Sequence, residues 1–120
     1  LNQAGEDMFI NKYNSTDGSF IWGYQNGTNY ADYATGVICD LYDGSVYMIG
    51  YTFGSLYGKA SGGQDIVTVK FNSSGSIIWA TQYHIYSANY PKDIAIDKSG
   101  YLYVCGYSSN YLGDKSFLYK

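Results

Sequence analysis

The chain of 120 residues contains no arginine, one proline, one histidine and two cysteines. Only 14% of it is charged, against about a quarter in an ordinary globular domain. Each scarcity excludes something. The seven basic residues are lysines scattered singly, and the formal net charge is −3. No positive stripe exists to displace counterions, so nucleic acid is not an expected partner. No apolar run approaches the ~18 residues of a membrane span, so membrane insertion of this segment is not expected. His84 has no cysteine or second histidine nearby and makes no zinc site within the segment. A serine or cysteine nucleophile would need that same histidine as its base, and there is no Gly-x-Ser-x-Gly elbow. Gly62-Gly63 and "GSLYG" are glycine-rich, but no lysine-bearing phosphate loop follows, so they read as turns. The opening "LNQAGEDMF" lacks the charged and apolar regions of a signal peptide. The expectation is that a leader was removed or that the segment began further inside a longer chain.

What is abundant is tyrosine, at 16, with 15 glycines. Tyrosine and β-branched residues suit a pleated, half-buried surface, and glycine and asparagine suit the turns between strands. Apolar residues alternate rather than recur at helical spacing. Composition and pattern both point to an all-β chain.

The sequence also repeats itself. "GEDMFINKYNSTDGSFIWGYQ" (5–25) aligns with "GQDIVTVKFNSSGSIIWATQ" (63–82). Asp7 meets Asp65, Lys12 meets Lys70, Tyr13 meets Phe71, Asn14 meets Asn72, Trp22 meets Trp79 and Gln25 meets Gln82. Downstream, "GVICDLYDGSVYMIGYT" (36–52) aligns with "DIAIDKSGYLYVCGYS" (93–108), so that Asp40 meets Asp97 and Tyr51 meets Tyr107. A third copy opens with "GDKSFLYK" (113–120), in which Lys120 meets Lys70 and Lys115 replaces the aspartate. A period of roughly 50 residues or slightly more marks a solenoid, propeller or array. The central unit reads as four strands, near 35–41, 45–52, 65–72 and 76–83, separated by the turns "DLYDGS" and "NSSGS". Four strands per unit is the arithmetic of a propeller blade.

The stretch "GGQDIVTVKFNSSGSIIWATQ" followed by "DIAIDKSGYLYVCGYS" resembles the SBBP-type β-propeller repeat, with Gly63 to Ser108 the best single match. The resemblance implies four-stranded antiparallel blades, with "DIAID" on the innermost strand and "IIWATQ" on the outermost. On that phase the chain is a partial propeller over 1–120: half a blade at 5–25 (outer strands), a full blade at 35–83, and most of a next blade at 93–120. "YHIYSANYPK" stands where a Gly/Asp-rich linker is expected. Such a piece is expected to need further blades of the same chain, or identical chains, to cover its apolar faces and strand edges.

The resemblance implies an extracellular or cell-surface protein in a structural or protein-binding role. No catalytic residue, cofactor or metal ligand set is expected. The recurring Asp7, Asp65, Asp40 and Asp97 lack the spacing of a calcium loop and read as acceptors of backbone N–H bonds at turns, with weak calcium binding as the alternative. Trp22 and Trp79 are expected to pack between blades. Tyr30, Tyr33, Tyr57, Tyr86, Tyr90 and Tyr111 are assigned to loops, where they either anchor the loops or form a binding face. That face supports an alternative function as a carbohydrate-binding propeller; a further alternative is a non-catalytic part of a larger secreted enzyme. Other surface proteins and glycans are thus the candidate partners. Asn14, Asn26 and Asn72 head Asn-x-Ser/Thr triplets and are candidate glycosylation positions in a eukaryotic secreted chain, with Asn14 and Asn72 expected on exposed turns. Cys39 aligns with Ile96 and Cys105 with Ile49, so both are expected as separate buried thiols, with an inter-blade disulfide as the alternative in an oxidising compartment.

Overall fold

In the computed structural model of the protein, the described residues are 5–85, 87–110 and 113–120, with side chains described for all of these except 110, 113–117 and 119. They form nine strands: β1 (Met8–Tyr13), β2 (Phe20–Asn26), β3 (Asp32–Cys39), β4 (Val46–Thr52), β5 (Asp65–Phe71), β6 (Ile77–Tyr83), β7 (Ala88–Ile96), β8 (Leu102–Asn110) and β9 (Gly113–Tyr119). The strands make three antiparallel sheets in simple up-and-down order: β1-β2, β3-β4-β5-β6 and β7-β8-β9. The sheets approach one another along β3 and β7, which run side by side. They do not close into a ring.

Local chemistry sets the hairpins. In "DLYDGS" the Asp40 carboxylate accepts the Tyr42 N–H at 2.8 Å, and the chain reverses through Gly44 at φ 76°. In "NSSGS" the Asn72 side chain accepts the N–H groups of Ser74 and Ser76, both at 3.0 Å, and Gly75 takes φ 89°. Both glycines adopt a conformation that costs an L-residue with a Cβ roughly 1 kcal/mol or more.

Two inner strands start earlier than their sequence suggests. β3 begins at Asp32 rather than near 35 and ends at Cys39 rather than 41; β7 begins at Ala88, inside the segment read as a linker. A bulge explains both. Thr35 is the extra residue between Ala34↔Gly50 and Gly36↔Ile49, and Lys92 is the extra residue between Pro91↔Gly106 and Asp93↔Cys105. The bulge breaks the two-residue alternation, so the first half of each strand loses its sequence signature. Pro91 is tolerated beside that irregularity. The partner glycine is needed there: a Cβ on Gly50 would collide with the carbonyl of Tyr33, and one on Gly106 with that of Tyr90.

The core lies between sheets. Alternate residues of β5 face opposite ways. Val67, Val69 and Phe71 join Val46 and Met48 to receive Met8 and Ile10 of β1, with Trp22 and Tyr24 against them. On the other side, Tyr47 and Ile49 meet Ile94 and Val104, with Ile38, Ile96 and Leu102 at the margin. Each interface therefore joins one sheet to the next in chain order. Full burial of a side chain such as Phe71 contributes roughly 1.5–3 kcal/mol.

Both cysteines are separate free thiols, as expected, but neither is buried: Cys39 is exposed and Cys105 is half-buried. The alignment places them on interface positions correctly, but on faces that no sheet covers. Val37 and Cys39 pair with Met48 and Val46 of β4 and project toward the side where the first sheet offers only two strands. Cys105 lies on the side of β8 turned away from the second sheet.

Candidate binding surfaces

Three groups of side chains stand out: the recurring polar residues, the tryptophans and a row of tyrosines.

The polar residues are committed to holding loops. Asp65 accepts bonds from the Ser61 hydroxyl, from the Ser61 N–H at 3.1 Å and from Gln82 Nε2 at 2.8 Å. Gln82 also donates to the Gly54 carbonyl at 2.9 Å and accepts the N–H groups of Leu56 and Tyr57 at 2.9 and 3.0 Å. Gln25 donates to Asp7 at 3.1 Å in the same repeat position. The Asp–Gln pair is thus a structural staple, visible in the sequence as two matched columns but not as a contact. Asp32 was not singled out from the sequence. It is fully buried, accepts the Thr28 N–H and hydroxyl, and receives the Thr52 hydroxyl. Its repeat counterpart Asn89 is equally buried and donates to the Gln64 carbonyl at 2.8 Å. Asp97 accepts the N–H groups of Ser99 and Tyr101 and the hydroxyl of Tyr103 at 2.8–3.0 Å. The Tyr101 N–H bond, aided by the Tyr103 hydroxyl, holds its carboxyl below the ordinary aspartate value, and the bond that Tyr103 donates to Asp97 raises the Tyr103 hydroxyl. Among the described residues no group of three metal-ligating side chains converges.

The tryptophans occupy equivalent positions with different neighbours. Trp22 crosses to the second sheet, where its ring lies 5.8 Å from Phe71 and over Gly75, and its Nε1 donates to the Ser73 carbonyl at 3.1 Å. Trp79 borders an open cleft of about 250 Å³ lined by Ile66, Thr68, Thr81, Tyr83 and Leu102.

The tyrosines form a continuous row across the second and third sheets. Tyr33 lies 5.1 Å from Tyr51, Tyr51 lies 5.3 Å from Tyr90, and Tyr90 stacks on Tyr107 at 4.8 Å. Phe53 flanks Tyr51 at 6.2 Å, and the Lys92 ammonium sits 5.2 Å above the Tyr107 ring. Burial, reinforced by its tyrosine neighbours, raises the Tyr51 hydroxyl above the ordinary tyrosine value. Two of the supposed loop tyrosines are therefore on strands: Tyr33 on β3 and Tyr90 on β7. Tyr90 is also tied down by Gln64 at 2.7 Å. Tyr57 is in a loop but half-buried, bonded through its hydroxyl to Tyr24, with burial raising that hydroxyl strongly. Tyr30 is in a loop and exposed. Tyr86 and Tyr111 lie outside the described residues. Of the row and the described loop candidates, Tyr30, Tyr33 and Phe53 are exposed. Phe53 and Tyr51 were not among the sequence candidates.

Of the three sequon asparagines, Asn14 is exposed on its turn. Asn72 is half-buried, with its amide oxygen engaged by two backbone N–H groups. Asn26 ends β2, half-buried, 3.4 Å from the Tyr57 hydroxyl. Exposure on equivalent turns therefore holds for Asn14 and not for Asn72.

Stacked antiparallel sheets, repeating at 56–58 residues and joined by one recurring interface, are the construction of blade-repeat proteins. Residues 78–114 match the family model described as SBBP, beta-propeller repeat. That stretch runs from β6 through β7 and β8 into β9. No curated protein matches the chain.

Proposed function

We propose that this chain is a non-catalytic segment of an extracellular or cell-surface β-propeller, acting as a structural scaffold or protein-interaction module. Its blades stack on further copies of the repeat, supplied by the same chain or by identical chains. One observation carries the reading: equivalent residues are buried wherever a neighbouring sheet is present and exposed wherever it is not. Val67 and Phe71 are 0% exposed, whereas their counterparts Phe9 and Tyr13 are 62% and 55% exposed. Ile94 is 6% exposed and its counterpart Val37 58%. Apolar positions of this kind mark contact surfaces when left open. The role of the recurring carboxylates in bonding the loops supports a structural rather than a chemical task.

A second reading, carbohydrate binding, draws on the exposed Tyr33 and Phe53 at the end of the tyrosine row, since aromatic faces present large contact area at low entropic cost. A glycan array probed with the chain separates the two. The scaffold reading expects no saturable binding. Binding lost on Tyr33→Ala would favour the lectin-like reading and count against the first.

A further inference from the structure

Asn26-Gly27 is the single Asn-Gly pair in the sequence, and its repeat counterpart is Tyr83-His84. It joins the end of β2 to the loop that leads into β3. Gly27 donates its backbone N–H to the Asn26 side-chain oxygen at 3.0 Å. That oxygen reaches the next residue's nitrogen only when Cγ is folded back toward the same nitrogen. Nucleophile and electrophile are then the two ends of a small ring that lacks one bond. Two further groups flank the pair. On one side stands the carboxylate of Asp7, which a Cβ on Gly27 would overlap. Its Oδ2 accepts Gln25 Nε2, while its Oδ1 is buried without a hydrogen-bond partner among the described residues. On the other side the Tyr57 hydroxyl lies 3.4 Å from Asn26 Nδ2. Burial raises that hydroxyl so far that it stays protonated at neutral pH.

We propose that Asn26-Gly27 is a self-modifying site, at which the fold promotes loss of the Asn26 amide through a cyclic imide. The Gly27 nitrogen attacks Asn26 Cγ and passes its proton to Asp7 Oδ1. The Cγ–Nδ2 bond breaks, and the nitrogen leaves as ammonia with the proton of the Tyr57 hydroxyl. Water opens the ring to aspartate or isoaspartate, and the proton on Asp7 returns to Tyr57 through solvent. The sum is amide plus water to acid plus ammonia, with no oxidant or co-reactant.

The chain's two Asp-Gly pairs, Asp17-Gly18 and Asp43-Gly44, could close the same ring, and the structure blocks both. Their Oδ1 atoms accept the N–H groups of Ser19 and Ser45, at 2.9 and 2.8 Å, rather than that of the adjoining glycine. Gly18 and Gly44 donate instead to the carbonyls of Asn14 and Asp40. Chiefly the Ser19 hydroxyl and the Ser45 N–H hold these carboxyls below the ordinary aspartate value, so each stays the unreactive carboxylate.

The product changes its surroundings. Asn26 pairs with Met8 across the first hairpin, and a Cβ on Gly27 would also crowd Oδ2 of the buried Asp32, at 3.1 Å. A carboxylate at 26 joins those of Asp7 and Asp32, and isoaspartate lengthens the backbone at that register. Both loosen the seam between the first and second sheets, where the Asp32 N–H bonds the Glu6 carbonyl at 2.7 Å.

The purified full chain is held at neutral pH in isotope-labelled water, folded or unfolded in urea, and every asparagine is followed by peptide mapping. In the folded chain Asn26 should convert first, taking up label from water, and about tenfold or more faster than Asn26 in urea. Asp7→Asn keeps an acceptor for Gln25, and Tyr57→Phe keeps the ring. Each should bring the folded rate down toward the rate in urea, with near-ultraviolet circular dichroism reporting that the variant is folded. Where a variant does not fold, the folded-to-unfolded ratio of the unsubstituted chain decides alone. Conversion no faster in the folded chain than in urea overturns the proposal, because the sequence pair would then react without help from the fold. A folded-state advantage that survives both substitutions overturns it too, because other groups would then carry the protons.

Discussion

The covered and uncovered copies of the repeat make the instructive comparison. β1–β2 and β5–β6 share their turn asparagine, their tryptophan and their Asp–Gln staple, yet β5 is buried on both sides and β1 on one. The difference owes nothing to the hairpins themselves. It follows from what stands beside them. Phe71 has Trp22 and Tyr24 against its ring, while the ring beside Tyr13 among the described residues is Phe20 of its own hairpin, at 6.0 Å. A repeat of this kind does not own its core; the neighbour completes it.

The largest test of that comparison is a pair of truncations. Phe71→Ala should lower stability by about 3–5 kcal/mol. Tyr13→Ala, at the same repeat position, should cost about 0.5 kcal/mol or less in dilute solution. Urea melts read both. Similar losses at the two positions would break the comparison.

The tryptophans give a smaller contrast. Trp22→Phe keeps much of the ring but removes the Nε1 donor to the Ser73 carbonyl, and should cost about 1 kcal/mol. Trp79→Phe should cost less in the dilute chain, since Trp79 is 37% exposed.

Smaller still is the effect of acid on the turn of the third sheet. The folded pKa of Asp97 lies below its ordinary value of 3.8, chiefly through the Tyr101 N–H. Its contribution is therefore present above about pH 4 and is lost as pH falls through the lowered value. Asp97→Asn should make the acid limb of a pH–stability curve slightly shallower and leave the neutral plateau's slope unchanged. Asn14 and Asn72 sharpen the comparison without touching stability. In a eukaryotic secretory host, intact mass should show a glycan on Asn14 and little or none on Asn72, whose amide is already engaged.

Much of this architecture was legible because it is local. Turn asparagines, turn glycines and two-residue alternation located β4, β5 and β6 to within a residue, and the internal alignment gave the blade period. The first halves of β3 and β7 were hidden because the bulges at Thr35 and Lys92 break alternation, and because a tyrosine-rich segment around a proline looks like loop. The same break put Tyr33 and Tyr90 in loops on paper. The row they form with Tyr51 and Tyr107 depends on strand neighbours far apart in sequence, as does the reach of Trp22 to Ser73. Alignment assigned Cys39 and Cys105 to the correct faces. It carried no information on whether a neighbour covers them, since burial at these positions is a property of the next sheet.

The central claim is that equivalent repeat positions differ only in having a neighbour. Thiol reactivity reads this directly at one pair of positions. In a Cys39→Ser, Cys105→Ser background, the thiol introduced by Val37→Cys in dilute protein should react with a maleimide at nearly the rate of a free thiol. The thiol introduced by Ile94→Cys should react at least about 100-fold more slowly, limited by local opening. Equal rates for the two would contradict the account.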